Sequence, residues 1–452
     1  MSEPIILVDE GLGNSVHLLD LGDGRCLAVD ASRDLRGLRA AASRAGLTVG
    51  YAAETHLHAD FVSGARHLAT DEGATVLASR AGLRRFGHHG LDDGDEVELG
   101  GLTLRALATP GHTDEHLAYL LLDGTRPLGV FTGGSLLVAS AARTDLVDPD
   151  RTEQLARAQY RSLRRLLELP GEVRVWPTHG AGSFCSAPPG VERVSTIGAE
   201  RAGNPLLTDT AGGIVDEDTF TARLLGGLGS YPRYFDRLAE VNRAGPTLLE
   251  GPVRLRRLRP DQVHSMHATV VDVRPIRHFG AGHVPGSLSN PLRPQFATWL
   301  GWLLDLATPL IFVRDPDQDP TEIAMQALKV GFENLLGELD GGIAGWTADR
   351  RPVATIDVLD PARAAGSDAV VLDVRQTAEY AAGHLPGSVH AELGAVTSDL
   401  DATGPLLTMC GHGERAMTAA SLLAASGRTV GVLAGGPAEL AAARGQALRT
   451  GE

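Results

Sequence analysis

Apolar positions along the chain follow two different patterns. The region up to residue 245 opens with short apolar runs, Ile5–Val8, Val16–Leu19 and Cys26–Val29, separated by glycine-containing turns, and these predict strands. Further strands are expected at Leu102–Leu107 and Val173–Trp176, and a helix over Thr152–Leu169, so the region reads as one α/β domain with interior sheets. From residue 253 onward the pattern is a β-branched strand (Val270–Val273), a polar helix, a Gly-His-x-Pro-Gly-Ser turn, a helix, a second apolar strand (Leu310–Val313) and a further helix. The same outline returns with strands at Val370–Val374 and Leu406–Met409. Alternating strands and helices predict a parallel sheet covered on both faces. Ligands of such sheets sit off the carboxyl ends of the strands, which points to the loops after Val313 and Met409.

The second pattern is a duplication. Asp272, Val273, Arg274, Gly282, His283, Pro285, Gly286 and Ser287 recur at Asp373, Val374, Arg375, Gly383, His384, Pro386, Gly387 and Ser388, each pair offset by 101 residues. Coincidence does not produce that register, so two copies of one unit are expected at 253–350 and 355–452. Residues 245–260, with three prolines and an arginine run, have linker composition. The long apolar stretch Phe296–Val313 is interrupted by Asp305 and Pro309, and predicts a helix followed by a buried strand rather than a membrane span.

Composition narrows the partners. The 452 residues carry 41 Lys and Arg against 56 Asp and Glu, a formal net charge of −15, and no basic block suits a nucleic acid. A small-molecule partner is expected instead. The start, MSEPIILVDEG, has no basic region and an acid at Glu3, from which no export signal and a cytoplasmic location are expected. Three cysteines, Cys26, Cys185 and Cys410, cannot build a disulfide framework in so long a chain.

Cys410 opens the loop Cys410-Gly411-His412-Gly413-Glu414-Arg415 between the strand Leu406–Met409 and a helix expected near Ala416. Two glycines let backbone N–H groups turn inward, and the helix start and Arg415 add positive potential, an arrangement that stabilises a thiolate nucleophile and then a persulfide. With the Asp-Val-Arg and Gly-His-x-Pro-Gly-Ser elements upstream, this resembles the rhodanese family of sulfurtransferases. The first copy reads Val313-Arg314-Asp315-Pro316-Asp317 at the same place and has no cysteine, so a structural or docking role is expected of it.

The first region holds a second constellation: Thr55-His56-Leu57-His58-Ala59-Asp60 after a strand ending near Glu54 and before a helix expected around Phe61, then Pro110-Gly111-His112-Thr113, then Pro177-Thr178-His179-Gly180. Three strand ends each delivering histidine to a loop suit a metal site. Alternation along an extended segment lets His56, His58 and Asp60 converge. Together these motifs resemble the metallo-β-lactamase superfamily over about residues 1–200, which implies an αββα sandwich. His17, His67, His88, His89 and His116 match no ligand position and are expected to be structural.

Val130-Phe131-Thr132-Gly133, Arg143-Thr144-Asp145-Leu146 and His179-Gly180-Ala181-Gly182-Ser183 look like the persulfide dioxygenase branch, and the whole arrangement resembles persulfide dioxygenase–rhodanese fusion proteins. That resemblance implies a mononuclear Fe(II), held by two histidines and an aspartate, that oxidises low-molecular-weight thiol persulfides with O₂. Two features depart from it. Phe61 stands where a second metal site often has histidine, and Gly134 stands where the ligand aspartate is expected. Three outcomes stay open: a three-histidine site of His56, His58 and His112; an oxygen ligand from Asp60 or Asp145; or weak metal binding with the reaction lost. The expected metal set is therefore His56, His58 and His112, with Asp60 and His179 as further candidates, while Arg143 and Asp145 position substrate or support the metal loop. Cys410 and Arg415 are the expected sulfurtransferase residues.

The function expected is a sulfide-detoxifying enzyme of hydrogen sulfide and glutathione metabolism. It would oxidise thiol persulfides to sulfite and pass sulfane sulfur, from persulfide or thiosulfate, through Cys410. Two alternatives are a glyoxalase II-like thioester hydrolase, for which zinc would replace iron, and a persulfide carrier or sensor without oxidase chemistry. The resemblance also implies a homo-oligomer, although no interface signature is visible.

Overall fold

The computed structural model describes residues 3–185, 192–397 and 400–451. Two compact units emerge: Met1–Pro252 together with Met325–Gly331, and Val253–Ala324 together with Phe332–Glu452.

Unit 1 contains two six-stranded sheets. The first runs Ile5–Asp9, Asn14–Asp20, Arg25–Val29, Thr48–Ala53, Thr75–Ser79 and His89–Leu91, antiparallel at its start and parallel from Arg25–Val29 onward. The second runs Ser195–Thr196, Arg174–Pro177, Arg126–Gly133, Leu117–Asp123, Thr103–Ala108 and Glu96–Glu98. Side-chain alternation explains how they stack. Leu27 and Val29 of the first sheet share a buried cluster with Leu104, Ala106, Tyr119, Leu121 and Phe131 of the second. On the opposite faces, Cys26 and Ala28 pack with Leu38, Ala41 and Ala42 of the helix Arg36–Ala45, while Ala118, Leu120 and Leu122 pack with Leu163 and Leu166 of the helix Thr152–Leu166. The result is the αββα sandwich.

Unit 2 holds two five-stranded sheets with one topology. One is ordered Arg257–Leu258, Leu335–Leu339, Leu310–Val313, Thr269–Asp272, Leu288–Ser289; the other is ordered Val358–Leu359, Val430–Leu433, Leu406–Met409, Val370–Asp373, Val389–His390. All their pairings are parallel.

The repeated Asp-Val-Arg motif is a clamp. Arg274 bonds the Asp272 carboxylate through Nε and a terminal nitrogen, at 2.9 and 2.6 Å, and donates to the Gly282 carbonyl at 2.9 Å. Arg375 does the same with Asp373, at 2.9 and 2.6 Å, and with Gly383, at 2.8 Å. Each clamp ties a strand end to the Gly-His turn, where His283 stacks on Phe279 and His384 on Tyr380, both at 3.9 Å.

Three sequence expectations change. The helix expected near Phe61 begins at Ala65, because Val62 and Ser63 are held in a loop by the 2.7 Å bond from Arg33 N–H to the Val62 carbonyl and by a bridge between Ser32 and Ser63. Among the described residues of the second copy, the place of the helix expected after the turn holds a 3₁₀ turn, Leu393–Ala395, whereas the first copy has the full helix Phe296–Leu303. The segment taken as linker includes Arg257–Leu258, which joins the first sheet as an edge strand. Among the described residues no helix is long and apolar enough to cross a membrane. All three cysteines are free and buried.

Candidate metal centre and cysteine loop

The histidine loops meet at the carboxyl ends of the unit 1 strands. Asp30, directly after the strand Arg25–Val29, holds them together. Its buried carboxylate takes the Thr55 N–H at 2.8 Å, the Thr55 hydroxyl at 2.7 Å, the Thr178 hydroxyl and the His58 Nε2 at 3.1 Å. These partners and the histidine drive its pKa below the usual carboxylate range in spite of burial. Burial alone would depress His58, but the Asp30 charge outweighs it and raises the imidazole, making a buried ion pair.

His56, His112 and His179 form a different kind of group. Each anchors Nδ1 on an oxygen: His56 on the Thr55 hydroxyl at 2.9 Å, His112 on the Arg143 carbonyl at 2.7 Å, His179 on the Asn14 side-chain oxygen at 2.9 Å. The Thr55 hydroxyl already donates to Asp30, so toward His56 it accepts, and the His56 proton sits on Nδ1. The other ring nitrogens converge. Those of His56 and His179 are 3.3 Å apart, His112 Nε2 is buried without a partner, and the three ligand atoms lie within 4.8 Å of one another. Burial and the neighbouring imidazoles keep these rings neutral, with His56 pushed well down and His112 and His179 to about 3. Three neutral imidazole lone pairs aimed at one point, each with its tautomer fixed from behind, are a donor set for a divalent transition metal. The orphaned His112 Nε2 is the observation that a cation fits here.

His58 gives its Nε2 to Asp30 and its ring stacks on Phe61 at 4.1 Å, which leaves Nδ1, buried and without a partner, as its nitrogen for a metal. Asp60 groups with His58 and His179. One of its oxygens takes the Asn14 amide at 2.6 Å and the other is buried and unpartnered, so it is the nearest carboxylate a metal could recruit. Asp145 is occupied by Arg143 in a two-bond ion pair of 2.7 and 2.8 Å. Arg143 also bonds the Phe184 and Gly229 carbonyls and lies against the Tyr231 ring at 4.6 Å, so the pair braces the loop whose carbonyl orients His112. Gly134 donates its N–H to His116 Nε2 at 3.0 Å, and His116 stacks on His56 at 5.0 Å. A Cβ at Gly134 would fall 2.3 Å from His112 Cδ2, so the glycine has His112 in the space a side chain would need. Asp30 escaped the sequence reading. The one usable signal was that Asp30 directly follows the strand Arg25–Val29. His17 is bonded to the Pro177 carbonyl, and His67 accepts the Leu249 N–H.

In unit 2, Cys410 follows the strand Leu406–Met409 and is 1% exposed. Its Sγ accepts the Gly413 N–H at 3.1 Å, directly before the helix Glu414–Ala425. Gly413 has φ 104°, a left-handed conformation that favours glycine. Arg415 spends two of its five donors on Glu379, at 2.6 and 2.8 Å. At the matching place in the first copy, Arg314 is bonded to Glu338 and Asp315 to His278.

The metallo-β-lactamase superfamily matches residues 9–179, and a probable metallo-hydrolase of Burkholderia pseudomallei is 31% identical over 248 residues, 46% of this chain and 80% of that protein. The chain belongs to the metallo-β-lactamase superfamily. Behind that domain, rhodanese-like domains match residues 256–349 and 358–443, which makes this superfamily member a fusion. It is similar to the mitochondrial persulfide dioxygenase ETHE1 of Homo sapiens, 32% identical over 165 residues that cover 36% of this chain and 58% of the human protein. A crystal structure of a metallo-β-lactamase from Staphylococcus aureus subsp. aureus COL superposes with a TM-score of 0.65 at 26% identity, over 74% of this chain and 98% of that one. The fusion thus joins a metal-binding fold with persulfide dioxygenase homologues to rhodanese-like domains.

Proposed function

We propose that the protein is a sulfur-metabolism enzyme with two reaction centres. The first oxidises a low-molecular-weight thiol persulfide to sulfite with O₂, and the second moves sulfane sulfur through Cys410. The observation that carries the reading is the convergence of three neutral imidazole nitrogens from His56, His112 and His179. Iron bound by these residues would supply open coordination positions for the persulfide sulfur and O₂. The protein's own part is positional. The Arg143 carbonyl, Thr55 hydroxyl and Asn14 amide fix the three rings, and the Asp30–His58 pair locks the strand ends they stand on. Phe61 covers His58, which disfavours a second metal.

At Cys410 the thiolate attacks the outer sulfur of the donor. The donor's S–S bond breaks, its thiolate or sulfite leaves with the electron pair, and the new persulfide stays under the Gly413 N–H until a thiolate or cyanide removes its terminal sulfur.

The test is O₂ uptake and sulfite release by Fe(II)-loaded protein given glutathione persulfide, beside the variants His179→Ala and Cys410→Ser. The expected result is oxidation lost in the first variant and thiosulfate:cyanide transfer lost in the second. Metal-loaded protein that consumes no O₂ overturns the oxidative half. A second reading draws on the similarity to a hydroxyacylglutathione hydrolase of Methylococcus capsulatus: zinc at the same residues and thioester hydrolysis without O₂.

A further inference from the structure

The copy without a cysteine walls the sulfur-transfer loop of the other. Within unit 2 the Ser289 N–H bonds the buried Ser421 hydroxyl at 3.1 Å, on the helix that begins directly after the Cys410 loop. Ile276 Cδ1 lies 2.8 Å from where a Cβ on Gly413 would be. The Trp302 indole fills the space over Gly394, and the Trp299 ring stands 5.8 Å from the Arg415 guanidinium carbon. Ile276, Ser289, Trp299 and Trp302 all belong to the first copy.

Arg293 belongs to the same face, in the segment between the strand Leu288–Ser289 and the helix Phe296–Leu303. It is half-buried, and its Nε is sealed from solvent with no hydrogen-bond partner. It lies between Ser289 and Trp299, which contact Ser421 and Arg415 of the helix that follows the Cys410 loop, and the charges of Glu414 and Cys410 oppose the lowering of its pKa by burial. Arg415, the loop's own cation, has its terminal donors on Glu379. A guanidinium with a sealed, unpartnered Nε on the face that walls a sulfur nucleophile is matched by a planar or pyramidal oxyanion.

We propose that Arg293, supplied by the cysteine-free copy, is the specificity-determining residue of the Cys410 site and holds the sulfonate end of a thiosulfate-type donor. The inference rests on the sulfurtransferase reading above. The Cys410 thiolate attacks the sulfane sulfur, the S–S bond of thiosulfate breaks, and sulfite departs as a dianion with the bonding pair. The total charge of −3 is the same before and after. Arg293 neutralises the end of the donor that does not react and stays with it as it becomes the leaving group.

The experiment is steady-state transfer to cyanide by the full chain from two donors, thiosulfate and 2-hydroxyethyl persulfide, which has no sulfonate. Arg293→Gln is expected to raise KM for thiosulfate about tenfold or more, the size of one lost charged hydrogen bond, and to leave the alkyl persulfide within about twofold. Arg293→Lys is expected to recover part of the loss. An unchanged KM for thiosulfate in Arg293→Gln overturns the proposal. An equal fall with both donors also overturns it, because that is the mark of a structural role. Wild-type protein inert with both donors, or transfer that survives Cys410→Ser, would instead remove the sulfurtransferase reading beneath it.

Discussion

Restoring the aspartate that the resemblance expects at position 134 is a sharp test of the metal centre. Sequence logic alone says that Gly134→Asp rebuilds a two-histidine, one-carboxylate site and improves iron binding. The structure says the opposite. The first added atom would stand 2.3 Å from His112 Cδ2 and 3.0 Å from both Cγ and Nε2 of the same ring, so the ring must leave the position in which Nδ1 meets the Arg143 carbonyl. Overpacking of this kind costs about 1–3 kcal/mol, and each kcal/mol lowers the melting of a domain this size by roughly 2–4 °C. The variant should therefore melt several degrees lower and bind less than one metal per chain. Calorimetry and elemental analysis, done on wild type and variant loaded under the same conditions, measure both. A Gly134→Asp protein that binds iron more tightly and melts no lower would refute the three-histidine assignment.

Other consequences can be measured directly. Chelation should lower the melting of the metal-binding unit, since a ligand present at about a thousand times its Kd adds about 4 kcal/mol; in His179→Ala the difference between loaded and stripped protein should vanish. His17 is held neutral, with burial taking its pKa from 6.5 to about 4. The unfolded chain therefore binds the proton first, so its contribution is complete above pH 6.5 and is lost as pH falls toward 4. This amounts to about 3 kcal/mol, and urea titrations should show a shallower acid slope in His17→Gln; equal slopes would count against it. Asp373→Ala leaves Arg375 buried without its carboxylate and should cost about 3–5 kcal/mol by chemical denaturation.

The strands Leu310–Val313 and Leu406–Met409 were legible to the residue because each is a short run, wholly apolar in the first and apolar but for Thr408 in the second, that follows a proline and is buried on both faces. The duplication was legible for a similar reason, since its motif is a local clamp. What the chain order could not show is where a ring points. His56 and His58 are two residues apart, yet one turns Nε2 to the centre while the other spends Nε2 on Asp30, a residue 28 positions away that no motif marks, and keeps Nδ1 buried and unpartnered. The loop from Phe61 to Gly64 carries no helix breaker before its glycine and still does not form a helix, because partners distant in sequence hold it extended. The short Leu393–Ala395 turn likewise reflects Trp302 lying over Gly394, a packing fact invisible in either segment alone.

The Asp-Val-Arg clamp has a consequence for how such duplications diverge. Each arginine is used up inside its own turn, on an aspartate two residues away and a glycine carbonyl eight residues on, and neither touches sulfur chemistry. The positions at which the two halves agree best are thus the ones that keep the chassis rigid. The segment after Val313, where Met409 is followed by Cys410 in the other copy, lies outside the clamp and carries different bonds, from Arg314 to Glu338 and from His278 to Asp315. Similarity between the halves is therefore a gauge of architecture and is blind to reactivity. A motif search built on the clamp would collect working and silent members alike, and only the first residue past the central strand would sort them.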